Sequence, residues 1–134
     1  MKHFTLESRM TASIGGAFYP TGHTVVMFPS AEDAVAIGHQ LIDSGFSGDE
    51  VYLVPPNVLL EQITPTVKQT ESTLPSAGTD AATVRAYTQL ALAGHTALLV
   101  KTKDEATAER LMVHVRKVEF SIARRYRTLV IEDL

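Results

Sequence analysis

With 134 residues, 45% of them apolar and 20% charged, the chain has the composition of one globular domain and is too apolar for a disordered one. It contains no cysteine, which excludes disulfides, thiolate nucleophiles and cysteine-ligated metal or iron–sulfur centres, and which suits a reducing cytoplasm. The net charge of −3 is uneven: residues 1–100 carry 4 Lys/Arg against 9 Asp/Glu, whereas residues 101–134 carry 8 against 6.

Residues 1–21 show no apolar stretch of signal-peptide length and read as an N-terminal arm, flexible or loosely docked. Within it, Ser13-Ile14-Gly15-Gly16 lacks the later Gly and Lys of a phosphate-binding loop and reads as a joint. The longest apolar runs, 25–28 and 97–100, are strand-sized and far short of the ~18–20 residues of a membrane helix. A soluble, cytoplasmic protein without a membrane partner is the expectation.

An internal repeat organises the rest. At an offset of 72, Gly22-His23-Thr24-Val25-Val26-Met27-Phe28 lies over Gly94-His95-Thr96-Ala97-Leu98-Leu99-Val100. The match runs on from Ser30–Ala36 to the stretch from Thr102 to Ala108. Each copy starts four consecutive apolar residues from a small polar turn, the mark of a strand covered on both faces. A hydroxyl residue follows, with an acid three positions later. That spacing predicts a capping box at Ser30/Asp33 and again at Thr102/Glu105.

In the first half (22–54), a helix with Ala34, Ile37, Gly38, Leu41 and Ile42 on one stripe runs to about Asp43 and stops at Gly45. A strand over residues 50–54 ends at Pro55-Pro56. Residues 55–93 form an insertion. Asn57 is expected to cap a short helix with Val58, Leu59, Leu60 and Ile63, ended by Pro65. Residues 66–79 read as an exposed loop, and Thr79 or Asp80 as the cap of a helix to about Ala93, stopped by Gly94. Its inward positions are Val84, Tyr87, Leu90 and Ala91. The second half (94–134) repeats strand and helix, with Ala108, Leu111, Met112 and Val115 inward, and ends in a strand around 126–132.

Two such β-α-β halves interleave most simply as a ferredoxin-like α+β sandwich in a single domain, 1–134: a four-stranded antiparallel sheet in the order fourth, first, third, second, with two helices on one face. A parallel flavodoxin-type sheet is the runner-up and needs more alternating units.

The run Gly45-Phe46-Ser47-Gly48-Asp49-Glu50-Val51-Tyr52-Leu53-Val54, with the strand and helix before it, resembles the first half of a bacterial general-stress-protein domain family. Residues 97–118 resemble that family's later strand-and-helix unit. The resemblance spans about half the chain in two pieces. It implies a stress-associated protein, and it carries over no catalytic residue, cofactor or defined molecular activity.

Few residue patterns suggest chemistry. His3, His23, His39, His95 and His114 include no His-x-His pair and no His-Glu-x-x-His run. His23 and His95 are repeat equivalents whose strands are expected to run antiparallel, which puts the two rings at opposite ends of the sheet. They read as turn residues, and His39 and His114 as solvated helix positions. Gly45-Phe46-Ser47-Gly48 follows a helix and lacks the spacing of a nucleophile elbow. No catalytic, metal or cofactor residue is assigned. The remaining constellation is Arg116, Lys117, Arg124, Arg125, Tyr126 and Arg127, with Phe120 beside it. Guanidinium groups bind phosphates and aromatic rings stack on bases, so this segment is the candidate nucleic-acid surface. The alternative places the aromatics in the core and the arginines in water.

The expectation is therefore a non-enzymatic stress-associated or regulatory binding module that binds a protein partner or self-associates. Nucleic-acid binding through the basic C-terminal segment is one alternative. A small-molecule or enzyme site under the insertion is the other.

Overall fold

A computed structural model describes residues 1–12, 15–67 and 78–134 of the protein. Six strands form one mixed sheet: β1 (Lys2–His3), β2 (His23–Phe28), β3 (Val51–Val54), β4 (Thr96–Lys101), β5 (Ile122–Arg127) and β6 (Val130–Asp133). Their spatial order is β1-β3-β4-β2-β5-β6. All neighbours are antiparallel except β1 and β3. The inner four strands thus keep the order inferred from the repeat. The sheet has six strands rather than the expected four, because a short parallel strand is added at one edge and a hairpin strand at the other.

Helices α1 (Ala31–Asp43) and α4 (Glu105–Val115) cover one face. Ile37 and Leu41 of α1 and Leu111 and Val115 of α4 pack on Val26 and Leu98 of the sheet, all buried. The other face is covered as well. Helix α2 (Pro56–Val58), continued by a π turn (Leu59–Ile63) and a 3-10 turn (Thr64–Thr66), lies there with α3 (Gly78–Leu92). Leu59, Ile63, Val84 and Tyr87 from these elements meet Met27 and Leu99. The apolar runs of β2 and β4 are continuous because each residue, whichever way it points, meets a helical layer. Each fully buried aliphatic or aromatic side chain of this kind contributes roughly 1.5–3 kcal/mol.

The N-terminal segment is part of this second layer, not a loose arm. Phe4, Met10 and Phe18 are buried in it. Leu6 N donates to Gln62 Oε1 at 2.8 Å and Phe18 N to Thr66 Oγ1 at 3.0 Å, which ties the segment to the insertion. Ser13 and Ile14, half of the supposed glycine joint, lie outside the described residues, as do positions 68–77 of the expected loop.

Several local expectations are corrected. Ser30 accepts from Asp33 N and caps α1, which is half of the expected box; the reciprocal pair is formed instead at Ser47 and Glu50, ahead of β3. The cap of α4 is Asp104, not Thr102: Asp104 Oδ1 accepts from Thr107 N at 2.8 Å. Thr102 is buried, and its hydroxyl lies 2.7 Å from that of Thr24. A hydroxyl at that depth is better satisfied by the facing strand than by an exposed helix end. Asn57 makes no side-chain cap, and the helical path continues through Pro65 to Thr66. Thr79 and Asp80 lie within α3. The last strand read at 126–132 is a hairpin: β5 and β6 pair Arg127 with Val130 across a two-residue loop, Thr128-Leu129. Leu129 has φ +68°, a conformation that such loops usually give to Asn or Gly, so the sequence carries no turn signal there.

Candidate functional site

The side-chain period of two in a strand decides the fate of the basic segment. Ile122 and Tyr126 join the core under α3, while Ala123 joins the core under α1 and α4. Arg124 therefore points to the face covered by α3 and Arg125 to the face covered by α1 and α4. Both are tied to the neighbouring strand, Arg124 to Asp133 and Arg125 to Glu132, the latter at 3.5 Å. Arg125 is itself buried. Arg116, just past α4, pairs with Glu109 at 2.9 Å. Lys117 and Arg127 are exposed. Tyr126 is 1% exposed, and its hydroxyl lies 2.9 Å from that of the equally buried Tyr87. Phe120 packs on the core under α4. The structure does not bring the six residues of the segment together on one surface. The one aromatic among them that was to stack on bases lies in the core.

The histidines occupy separate places. His23, opposite Lys101 in the β2–β4 register, and His95, just before the residue opposite Phe28, lie at opposite ends of the sheet. Burial, above all, lowers the His23 pKa, and its Nδ1 lies 3.1 Å from Thr21 O. His39 is exposed. His114 is half-buried, with Nδ1 lacking a hydrogen-bond partner. Among the described residues, no three His, Asp or Glu side chains are grouped as a metal site. His95 Nδ1 lies 2.6 Å from Ser121 Oγ, a contact between the starts of β4 and β5 that sequence spacing could not show. No hydrogen bond to a carboxylate orients the ring among the described residues, and neither hollow described below is lined by it. It serves as a clasp between strands.

Where the described parts of the insertion meet the sheet, Leu59, Ile63, Val84 and Tyr87 are buried against Met27 and Leu99. Two hollows lie elsewhere, neither lined by any residue of 55–93. One, of about 150 Å³, lies beside Arg9, Pro20 and His23. The other, of about 180 Å³, lies between the turn after α1 and the start of α4. Gly45, Phe46 and Glu50 line it from one side of the sequence and Lys101, Lys103, Thr107 and Arg110 from the other. Both fall below the ~300–1,000 Å³ of drug-sized ligand sites. Gly45, at φ +119°, ends α1 and turns Phe46 inward. The Arg110 guanidinium lies 4.8 Å over the Phe46 ring, and its Nη2 donates to Ser44 O at 3.4 Å. The residues come from three stretches of chain, and no motif signalled their meeting.

β6 is one edge of the sheet. Leu134 N donates to Ala123 O, which fixes 123/134, 125/132 and 127/130 as the hydrogen-bonded pairs of the hairpin. The backbone groups of Ile131 and Asp133 then point away from the sheet. Beside them Leu129 is 93% and Val130 54% exposed. At the opposite edge β1 has only two residues.

Comparison with known proteins finds no matching family profile and no significant match among curated proteins or solved structures.

Proposed function

We propose that the protein is a non-enzymatic cytoplasmic binding module on a ferredoxin-like core, and that it works by self-association through the free edge of β6. The observation that carries this reading is the edge itself: outward backbone groups at Ile131 and Asp133 beside exposed Leu129 and Val130. Both sheet faces are covered, so strand addition at an edge is the route left for backbone recognition. Uncovered edges are usually blunted by charge. Here Glu132 and Asp133 are drawn back onto Arg125 and Arg124, which lowers their repulsion toward a second copy. The likeness of its repeat units to a general-stress-protein domain supports a regulatory, stress-associated role.

A four-residue edge buries less than the ~800 Å² per partner of a stable interface, so the dimer is weak and concentration-dependent. Sedimentation equilibrium tests it. Wild type should show a monomer–dimer equilibrium with a Kd on the order of 0.1–1 mM. Val130→Lys, which adds a charge at the edge, should remain monomeric. So should Ile131→Pro, which removes an outward N–H together with a side chain packed on the core, provided that its circular dichroism matches wild type. A monomeric wild type across that range, or both variants associating as wild type does, overturns the reading.

A further inference from the structure

We propose that His23 is an acid-operated latch on the N-terminal segment: a proton on its ring loosens the 3-10 turn Ser8–Met10 and the turn at Pro20 and Thr21 from the end of β2. Val25 and Met27 of β2, and Ala97 and Leu99 of β4, face the layer that holds α3. Counting by two puts His23 and Lys101 on that same face. Thr102 N donates to Gly22 O at 2.8 Å, so 22/102 is a hydrogen-bonded pair and His23 and Lys101 form the adjacent, non-hydrogen-bonded one. Side chains come closest in such pairs, and like charges directly opposite repel. Arg9 approaches from the N-terminal segment: with Met10, Pro20 and Thr21 it lines the hollow of about 150 Å³ that His23 also lines.

Among the described residues, no carboxylate forms an ion pair with His23. Glu7 pairs with Arg9 at 2.6 Å and offsets part of its charge. Glu50, ahead of β3, accepts from Ser47 N at 3.3 Å, and Asp49 lies 4.0 Å from Lys2. On the β5 side, Tyr126 presents a buried, neutral phenol, and Arg125 and Arg127 alternate to the other face. Thr21 O can only accept, so His23 Nδ1 carries a hydrogen and donates to it, and the acid proton enters at Nε2. The docked segment opposes that proton. Burial of the ring, first, and then the charges of Arg9 and Lys101 lower its pKa. Once the segment lifts, the ring enters water and Arg9 moves away with the turn. A group whose pKa is lowered in the docked form binds its proton more readily in the open one. Docking is therefore complete above the ordinary value of ~6.5 and weakens as pH falls below it.

The test is amide hydrogen exchange by NMR at pH ~7.5 and ~5.0, expressed as protection factors corrected for the intrinsic rate. Ala12 and Tyr19, whose amides donate to Ala17 O and Met10 O at 2.7 Å, report the segment. Val26 and Leu98, paired at the centre of the sheet, report the rest of the fold. Wild type should lose protection at Ala12 and Tyr19 by about threefold to tenfold in acid, the size of two like-charge contacts, while Val26 and Leu98 keep theirs. His23→Gln, which takes up no proton, should hold the segment equally well at both pH values. Lys101→Gln and Arg9→Gln, both at exposed positions, should each raise the titration midpoint of the His23 ring. Wild-type protection that acid leaves unchanged, equal losses at all four amides, an acid loss that persists in His23→Gln, or a ring midpoint unmoved in both charge variants overturns the proposal.

Discussion

The hydroxyl of Tyr87, on α3, and that of Tyr126, on β5, meet 2.9 Å apart inside the core. Each satisfies the other in a layer otherwise lined by Phe18, Met27 and Val84. Tyr126→Phe or Tyr87→Phe should cost about 1–3 kcal/mol, because one buried hydroxyl loses the partner it has among the described residues. The double variant should lie close to wild type, since neither hydroxyl then remains. Urea denaturation of the four proteins checks the cycle. Additive single losses in the double variant would contradict the pairing.

The same pair makes stability depend on pH on the alkaline side. Burial, above all, raises both phenols well above their ordinary value. In the unfolded chain tyrosine ionises near ~10. The folded pair keeps its protons, so its contribution is complete below that pH and is lost as pH rises beyond it. Thermal melts from pH ~8 to ~11 should show a steeper decline for wild type than for the double phenylalanine variant.

Asp104 sets the acid side at α4. Hydrogen bonds from Thr107, first through its side chain and then through its amide, hold the Asp104 carboxyl below its usual range. A depressed value means stability that is present at neutral pH and lost as pH falls through the folded-state value. Asp104→Ala should therefore lower the urea midpoint at pH ~7 and converge with wild type near pH ~2. Thr102→Ser, by contrast, should leave α4 capped.

Phe18 reports whether the N-terminal segment belongs to the fold. Its ring is buried, 6.1 Å from that of Phe4 and 6.1 Å from that of Tyr126, both edge-on. Phe18→Ala should destabilise the whole domain by about 3–5 kcal/mol in one cooperative transition. A loss under ~1 kcal/mol would return residues 1–21 to the status of an arm.

Leu129 holds a left-handed conformation with its side chain in solvent. Such a backbone costs a branched L-residue roughly 1–2 kcal/mol. Leu129→Gly should raise the melting temperature while weakening self-association, since it removes an apolar group from the edge. An increase in both would separate the hairpin tip from the interface.

The regular elements could be read from the chain because local rules and packing agree there. In α1 and α4 the apolar stripe and the buried face coincide, though only α1 is capped where the spacing put it, and the continuous apolar runs at 25–28 and 97–100 announced strands covered on both sides. The interleaved order of β3, β4, β2 and β5 followed from the repeat together with the handedness of crossovers. The segment at 122–127 was harder. Its arginines suggested an exposed basic patch, and only pairing with β6 revealed Arg124 and Arg125 as cross-strand partners of Asp133 and Glu132.

Sequence alone thus determined what depends on neighbours along the chain: helix stripes, turns at Gly45 and Gly94, strand-length apolar runs and the absence of thiol chemistry. Tertiary structure decided what depends on distance through space. It placed Phe4, Met10 and the described parts of the insertion on the open face, buried Tyr126 against Tyr87, paired Thr24 with Thr102, and gathered Gly45, Lys101 and Arg110 around one hollow. A residue's type limits the bonds it can make, but which partner satisfies it is settled only when the sheet and its layers close around it.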